Sequence, residues 1–128
     1  MMLLYVNGDS HSAGAEAVNP FCFACDDSKY RNLGRKPHPD NLAVSYGNII
    51  SNSIRSTLIC DAESASSNTR IIRTTRDFLL HNRPDLIIVG WATWEREEWY
   101  HNGTHYQVTA GGTDLVPNEL LDQYKIGS

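Results

Sequence analysis

Two short apolar runs constrain this chain most: Leu3-Leu4-Tyr5-Val6-Asn7, ending at Gly8, and Asp85-Leu86-Ile87-Ile88-Val89-Gly90. A strand with one wet face alternates polar with apolar, whereas continuous runs bounded by turn formers read as strands buried on both faces. Between the two runs the period becomes helical. Leu42, Tyr46, Ile49 and Ile50 fall at i, i+4, i+7 and i+8 behind an Asp40 N-cap that follows Pro39. Ile71, Ile72, Phe78 and Leu79 line one face of a second helix, capped by Ser67 or Asn68 and stopped at Arg83-Pro84. Arg70, Arg73 and Arg76 take the other side, where a solvated face is expected. A short strand, about Ser56 to Cys60, separates the helices. Parallel strands need crossovers of this length, so the pattern predicts a three-layer α/β sandwich with a parallel sheet in the order 2-1-3.

Composition narrows the class. The 128 residues suit a single domain over 1–128, and 41% hydrophobic with 20% charged residues is globular composition. Fifteen acidic against eleven basic side chains give a net charge of -4, which argues against a nucleic-acid partner, whose footprint is a basic surface. No apolar run approaches the roughly 20 residues of a membrane span, and the N-terminus lacks the basic region of a signal peptide. A cytoplasmic protein with no membrane partner is therefore expected. Cys22-Phe23-Ala24-Cys25 has metal-type spacing, but Cys60 is the only other thiol, so neither a metal nor any other cofactor is expected.

The remaining segments are less regular. Ser10 to Pro39 reads as a long loop with one helical turn after Ser12. Beyond Gly90, Trp91, Trp94, Trp99, Tyr100 and Tyr106 crowd around Glu95-Arg96-Glu97-Glu98. Asn102-Gly103 predicts a hairpin pairing Trp99–His101 with Thr104–Tyr106, its histidines His101 and His105 not required to converge. The tryptophans suit a carbohydrate-binding groove, although such residues more often cover a sheet edge or fill a core. Gly111-Gly112 reads as a loop, and Pro117 as the start of a helix running to Lys125.

The chemistry concentrates in Gly8-Asp9-Ser10-His11-Ser12-Ala13-Gly14, directly after the first strand. A serine there sits at the carboxyl end of a parallel strand, where open α/β sheets bind ligands. Gly8 permits a sharp turn, and the small residues beyond Ser10 let backbone N–H groups face a developing oxyanion. With its Gly-Asp-Ser block in a strand-to-loop turn, the chain resembles the SGNH/GDSL hydrolases, which have a flavodoxin-like fold. The resemblance implies that Ser10 is the nucleophile, that Asp9 is its block neighbour, and that the Ser10 N–H is one oxyanion donor. Ser64-Ala65-Ser66-Ser67-Asn68 stands where the family carries its second block, making Ala65, or Ser64, the second donor. Gly90-Trp91-Ala92-Thr93 stands where the family has Gly-x-Asn-Asp, with Ala92 at the asparagine position. Losing one such donor typically costs ~10²–10³ in rate.

The family's C-terminal Asp-x-x-His, which supplies the general base, occurs nowhere in this chain; the nearest pattern is Glu98-Trp99-Tyr100-His101, making His101 the candidate base. The chain therefore resembles the N-terminal part of an SGNH domain without its last strands. The segments 66–75 and 90–99 are similar to SGNH-like proteins of tailed phages, so a phage particle is the alternative location. The expected function is an acyl or acetyl ester hydrolase acting on a small ester or an acylated glycan, with weak or no activity in this chain alone. The alternative is a catalytically silent phage structural or carbohydrate-binding module on the same fold. A phosphate binder using the Gly8–Gly14 turn ranks below both, because the fingerprint with its lysine is missing. Without further strands, Asp85–Gly90 would leave a bare edge, to be covered by a second copy or a partner chain.

Overall fold

The computed structural model describes residues 2–109, 112–113 and 117. The chain runs β1 (Leu3–Asn7), α1 (Ser10–Ala13), α2 (Pro39–Ala43), α3 (Tyr46–Ser53), β2 (Thr57–Cys60), α4 (Asn68–Leu79) and β3 (Leu86–Val89). A hairpin follows, of β4 (Glu97–His101) and β5 (Thr104–Thr109), with β6 (Gly112–Thr113) beside β5. The protein is mixed α/β, and its parallel sheet has the order β2-β1-β3. β1 lies against β2 with Leu4 opposite Leu58 and against β3 with Tyr5 opposite Ile87.

The central position of β1 shows in its burial: Leu4, Tyr5, Val6 and Asn7 are all fully buried. Its two faces receive different helices. Tyr5 and Asn7 meet α4, where the Tyr5 ring stacks on Phe78 at 4.1 Å and the Asn7 amide nitrogen lies 2.8 Å and 2.9 Å from the Thr74 and Thr75 hydroxyls. Val6 meets α3 at Gly47, where an added Cβ would come within 3.1 Å of a Val6 methyl. A glycine in a helix interior costs about 1 kcal/mol relative to alanine. Here it brings the helix close to the sheet, and apolar contacts of the Val6 kind return about 1.5–3 kcal/mol per buried side chain.

Several expectations need correction. The continuous helix expected from Asp40 onward is two helices broken at Val44-Ser45. His38, not Asp40, caps α2, and the Ser45 hydroxyl caps α3. The face turned to the sheet carries Gly47 and Ser51 rather than the expected apolar stripe, and Ile49 is exposed. Sheet contact by small residues won over the apolar period. In α4, Ile71 is buried but Ile72 and Leu79 are exposed. Arg70 and Arg73 do not stand on a solvated face either. Arg70 bonds the Asp61 carbonyl and the Glu63 carboxylate, and Arg73 forms a fork with Glu98.

The expected loop of Ser10–Pro39 contains α1 and two 3₁₀ segments, Ala24–Asp26 and Ser28–Leu33. His38 organises its return. The imidazole is fully buried, its Nδ1 accepts the Asp40 N–H, and its Nε2 sits 3.0 Å from the Asp27 carboxylate. That bond, with the Lys29 N–H, holds the Asp27 carboxyl below its usual range. Gly112, expected in a loop, pairs with Thr109. The hairpin turn is as expected, with Asn102 and Gly103 both at positive φ, as a two-residue turn of this kind requires. Of the helix expected over 117–125, only Pro117 is among the described residues, and the rest lies outside them. The burial on both faces expected of Asp85–Gly90 is also corrected: among the described residues β3 is an edge of the parallel sheet, with Leu86 42% and Ile87 40% exposed because only β1 flanks it.

Candidate functional site

The carboxyl ends of the three parallel strands feed three loops, and backbone bonds tie these loops together. The Gly90 N–H donates to the Asn7 carbonyl, the Asp61 N–H to the Val6 carbonyl, and the Glu63 N–H to the Gly8 carbonyl. Ser10 and Ala65 each lie two residues beyond that last bond, so the two segments expected to form one site leave the sheet side by side.

Ser10 is the first residue of α1 and partly exposed. Asp9 caps that helix, its carboxylate accepting the His11 N–H, and its second oxygen lies 3.3 Å from the Arg96 guanidinium. Gly14 closes the turn at φ 68, a left-handed conformation that glycine adopts without strain. Gly8 is needed for a different reason from the sharp turn expected. A Cβ there would lie 2.2 Å from the Ser12 hydroxyl and 2.9 Å from the Gly90 carbonyl, and a Cβ on Gly90 would lie 2.6 Å from the same hydroxyl. Ser12 is therefore wedged between two glycines, and its hydroxyl is fixed by the Tyr46 hydroxyl at 2.7 Å. That serine is buried and shapes the turn, whereas Ser10 is partly exposed.

Ala65 adopts φ 65, a left-handed conformation unusual for a residue with a Cβ. It stands where the resemblance places a glycine, so its backbone takes the shape a glycine would adopt more readily. Such a conformation costs a non-glycine residue about 1–2 kcal/mol. Ala65→Gly is expected to stabilise the protein by about 0.5–1 kcal/mol after the greater freedom of glycine in the unfolded chain is discounted. Thermal melts of the two proteins check this; a lowered midpoint would mean that the Ala65 methyl makes contacts outweighing the backbone strain.

The loop after β3 is pinned at both ends. The Asn68 side chain accepts the Ala92 N–H at 2.7 Å and donates to the Ala92 carbonyl at 3.1 Å. Both polar groups of the Asn68 amide are thus spent on positioning. Arg96 joins Asp9 to the Ser66 carbonyl, bridging the loops after β1 and β2. Beside them, at the end of β2, a cleft of about 140 Å³ is lined by Arg35, Lys36, Asp61, Glu63 and Arg70 among others. Glu63 is paired with both arginines, at 3.1 Å and 2.9 Å. Cys60 also lines this cleft, and burial pushes its thiol up to about 11, leaving it protonated and unreactive at neutral pH.

None of the histidines is hydrogen-bonded to Ser10 among the described residues. His11 projects into solvent, 3.4 Å from the Asp9 carboxylate. His38 spends both ring nitrogens as described, and His81 is exposed beyond α4. His101, the candidate base, ends β4 and contacts the Asn102 amide. Its neighbour across the hairpin is Thr104, so it lies on the face opposite Glu98 and Gln107. Those two residues carry the contact with α4. The Gln107 amide oxygen accepts the Ser67 N–H and hydroxyl, and its nitrogen donates to Glu98. Burial raises the Glu98 carboxyl, but hydrogen bonds from Arg73 and Gln107 and the Arg73 charge outweigh it, so the group stays below its usual range. His105 shares this face, with Nδ1 3.6 Å from Glu98 and its ring tilted against Tyr100.

Sequence reasoning missed the Glu98–Arg73–Gln107 cluster, because its members lie on three separate elements and no local spacing joins them. No metal-holding group of three or more His, Cys, Asp or Glu is present among the described residues, and no helix among them is long and apolar enough to cross a membrane. No family model, curated protein or solved structure matches this chain.

Proposed function

We propose that this protein is a serine ester hydrolase of the SGNH type, with Ser10 as nucleophile and the Ser10 and Ala65 N–H groups holding the oxyanion. The observation that carries the reading is the shared exit of the two loops. A partly exposed serine starts α1 at the end of the central strand, and a left-handed Ala65 occupies the same register on the neighbouring loop. In the reaction, Ser10 Oγ forms a bond to the ester carbonyl carbon and gives its proton to a base. The tetrahedral intermediate then expels the alcohol, and water releases the acyl group. A free hydroxyl is a poor nucleophile at neutral pH, and no imidazole is bonded to Ser10 among the described residues, so turnover by this chain alone is expected to be slow. The oxyanion groups and binding alone leave only ~10³–10⁴ over water.

A fluorophosphonate probe tests the assignment. Labelling should occur and be lost in Ser10→Ala, whereas Ser12→Ala should keep it after refolding is verified by circular dichroism. Labelling that survives Ser10→Ala would sink the proposal. The absence of a bonded imidazole favours a second reading, a catalytically silent binding module on the same scaffold. No labelling at any pH from 6 to 9 in the folded protein would select it.

A further inference from the structure

Trp94 is 89% exposed and Trp91 61% exposed, although tryptophan is on average among the more buried residue types. The third tryptophan differs: Trp99 is half-buried, with its indole N–H bonded to the Glu97 carboxylate at 2.9 Å. The two exposed indoles lie on the loop between Gly90 and Arg96, and both ends of that loop are fixed beside Ser10. Gly90 abuts Gly8 and the Ser12 hydroxyl, while the Arg96 guanidinium reaches Asp9. Between the ends, the Asn68 amide clamps Ala92 through both of its backbone groups. Two exposed tryptophans are thereby carried on a short loop that is anchored beside the serine turn at Gly90 and Arg96 and clamped at Ala92.

From this geometry we infer that Trp91 and Trp94 form a stacking platform for the sugar rings of a neutral glycan. The inference rests on the ester-hydrolase reading and names its substrate class, an acylated glycan. A gluco-configured pyranose presents a flat C–H face that suits an indole ring, and its equatorial hydroxyls remain free to bond N–H groups and water. The anchored loop favours this ligand, since backbone held in place lowers the ordering cost of binding. The charge around the platform decides which glycan fits. Glu95 and Glu97 are exposed on the same segment, and its one cation, Arg96, is engaged by Asp9 and the Ser66 carbonyl. A polyuronate would meet like charge there, as would a nucleic acid, whereas a neutral sugar chain would not.

The test titrates the full chain with chitotetraose, a neutral β-linked tetrasaccharide, and follows the three indole N–H signals by NMR. The Trp91 and Trp94 signals should move with half-saturation near ~1 mM, and the Trp99 signal should stay. Trp94→Ala, a change at a solvent-exposed position, should weaken binding by about tenfold or more while the other amide signals keep their positions. Tetragalacturonate should bind at least about tenfold more weakly at low salt. Absence of chitotetraose binding at 10-fold that concentration, or binding unaffected in the Trp91→Ala/Trp94→Ala double variant, overturns the inference. So does tighter binding of the uronate, or movement of the same indole signals with protein concentration alone, which would assign the face to a second copy. Fluorophosphonate labelling separates the two claims. Labelling without glycan binding leaves the hydrolase and removes the platform; glycan binding without labelling does the reverse.

Discussion

Asn7→Ala is expected to cost about 3 kcal/mol and to loosen the serine loop before the rest of the fold. Asn7 is fully buried at the last position of the central strand. Its side-chain Oδ1 accepts the Gly8 N–H at 2.8 Å. Its amide nitrogen reaches the Tyr5 hydroxyl, the Ile71 carbonyl and the Thr74 and Thr75 hydroxyls within 3.2 Å. Truncation orphans the Gly8 N–H, which costs about 1–3 kcal/mol when no water can replace the partner, and leaves a void beneath α4. The network continues through Tyr5, which donates to Asp61 at 2.7 Å. Burial first, then that bond and the Asp61 charge, push the Tyr5 hydroxyl far above its usual range, so it remains a donor throughout the working pH range. Urea unfolding measures the loss, and hydrogen exchange should show the Gly8 and Ala13 amides, bonded to Asn7 and Asp9, losing protection ahead of Leu4 and Val6. A cost under about 1 kcal/mol would mean that water enters and satisfies the freed groups.

Asn7 also shows what the sequence reveals and what it hides. The apolar runs made the parallel sheet legible, because burial on both faces forbids alternation, but they did not single out the middle strand: Asp85–Gly90 is as continuously apolar as Leu3–Asn7 yet forms an edge. The same logic does not report that a strand buried on both faces ends in a tyrosine–asparagine network, since the partners Thr74 and Thr75 lie some 70 residues away in the chain. Helix faces were misjudged for a related reason. Periodicity marks where apolar side chains repeat, yet α3 docks through Gly47 and Ser51 because closeness to Val6 matters more than side-chain volume. At the site, Gly8 and Ser10 stood out in the sequence, while the role of Ser12 did not. A serine wedged between two glycines is visible only when Gly90 is brought beside Gly8. Arg96 and Asn68, which hold the third loop to the first two, carry no local signature either.

Those ties make the hairpin's attachment the second sensitive point. Glu98→Ala is expected to cost about 3 kcal/mol at neutral pH and to detach β4 and β5 from α4. The Glu98 side chain is 4% exposed and meets a forked guanidinium, with Arg73 Nη2 at 2.6 Å and Nε at 3.0 Å. Removing the carboxylate leaves Arg73, 29% exposed, without its counter-charge and breaks the Gln107 Nε2–Glu98 hydrogen bond. Because Arg73 retains some water, the cost should fall at the low end for a broken buried pair. Gln107 also holds Ser67, the cap of α4, so the loop carrying Trp91 and Trp94 should gain mobility with the hairpin.

The pH dependence follows from the lowered Glu98 carboxyl. A group whose folded pKa lies below its unfolded value of about 4.3 adds stability fully above that value, and loses it as pH falls through the folded value. Arg73 stays charged over that range and Gln107 does not titrate. His105 also faces this carboxylate, and because it is present in both proteins, a gap between the wild type and a Glu98 variant that closes in acid belongs to Glu98. Unfolding midpoints of the wild type and Glu98→Gln should therefore differ most at neutral pH and converge toward pH 3. An equal gap at pH 3 and pH 7 would show that the glutamine loses shape complementarity rather than charge, and the ion pair would then not be what fastens the hairpin to the helix.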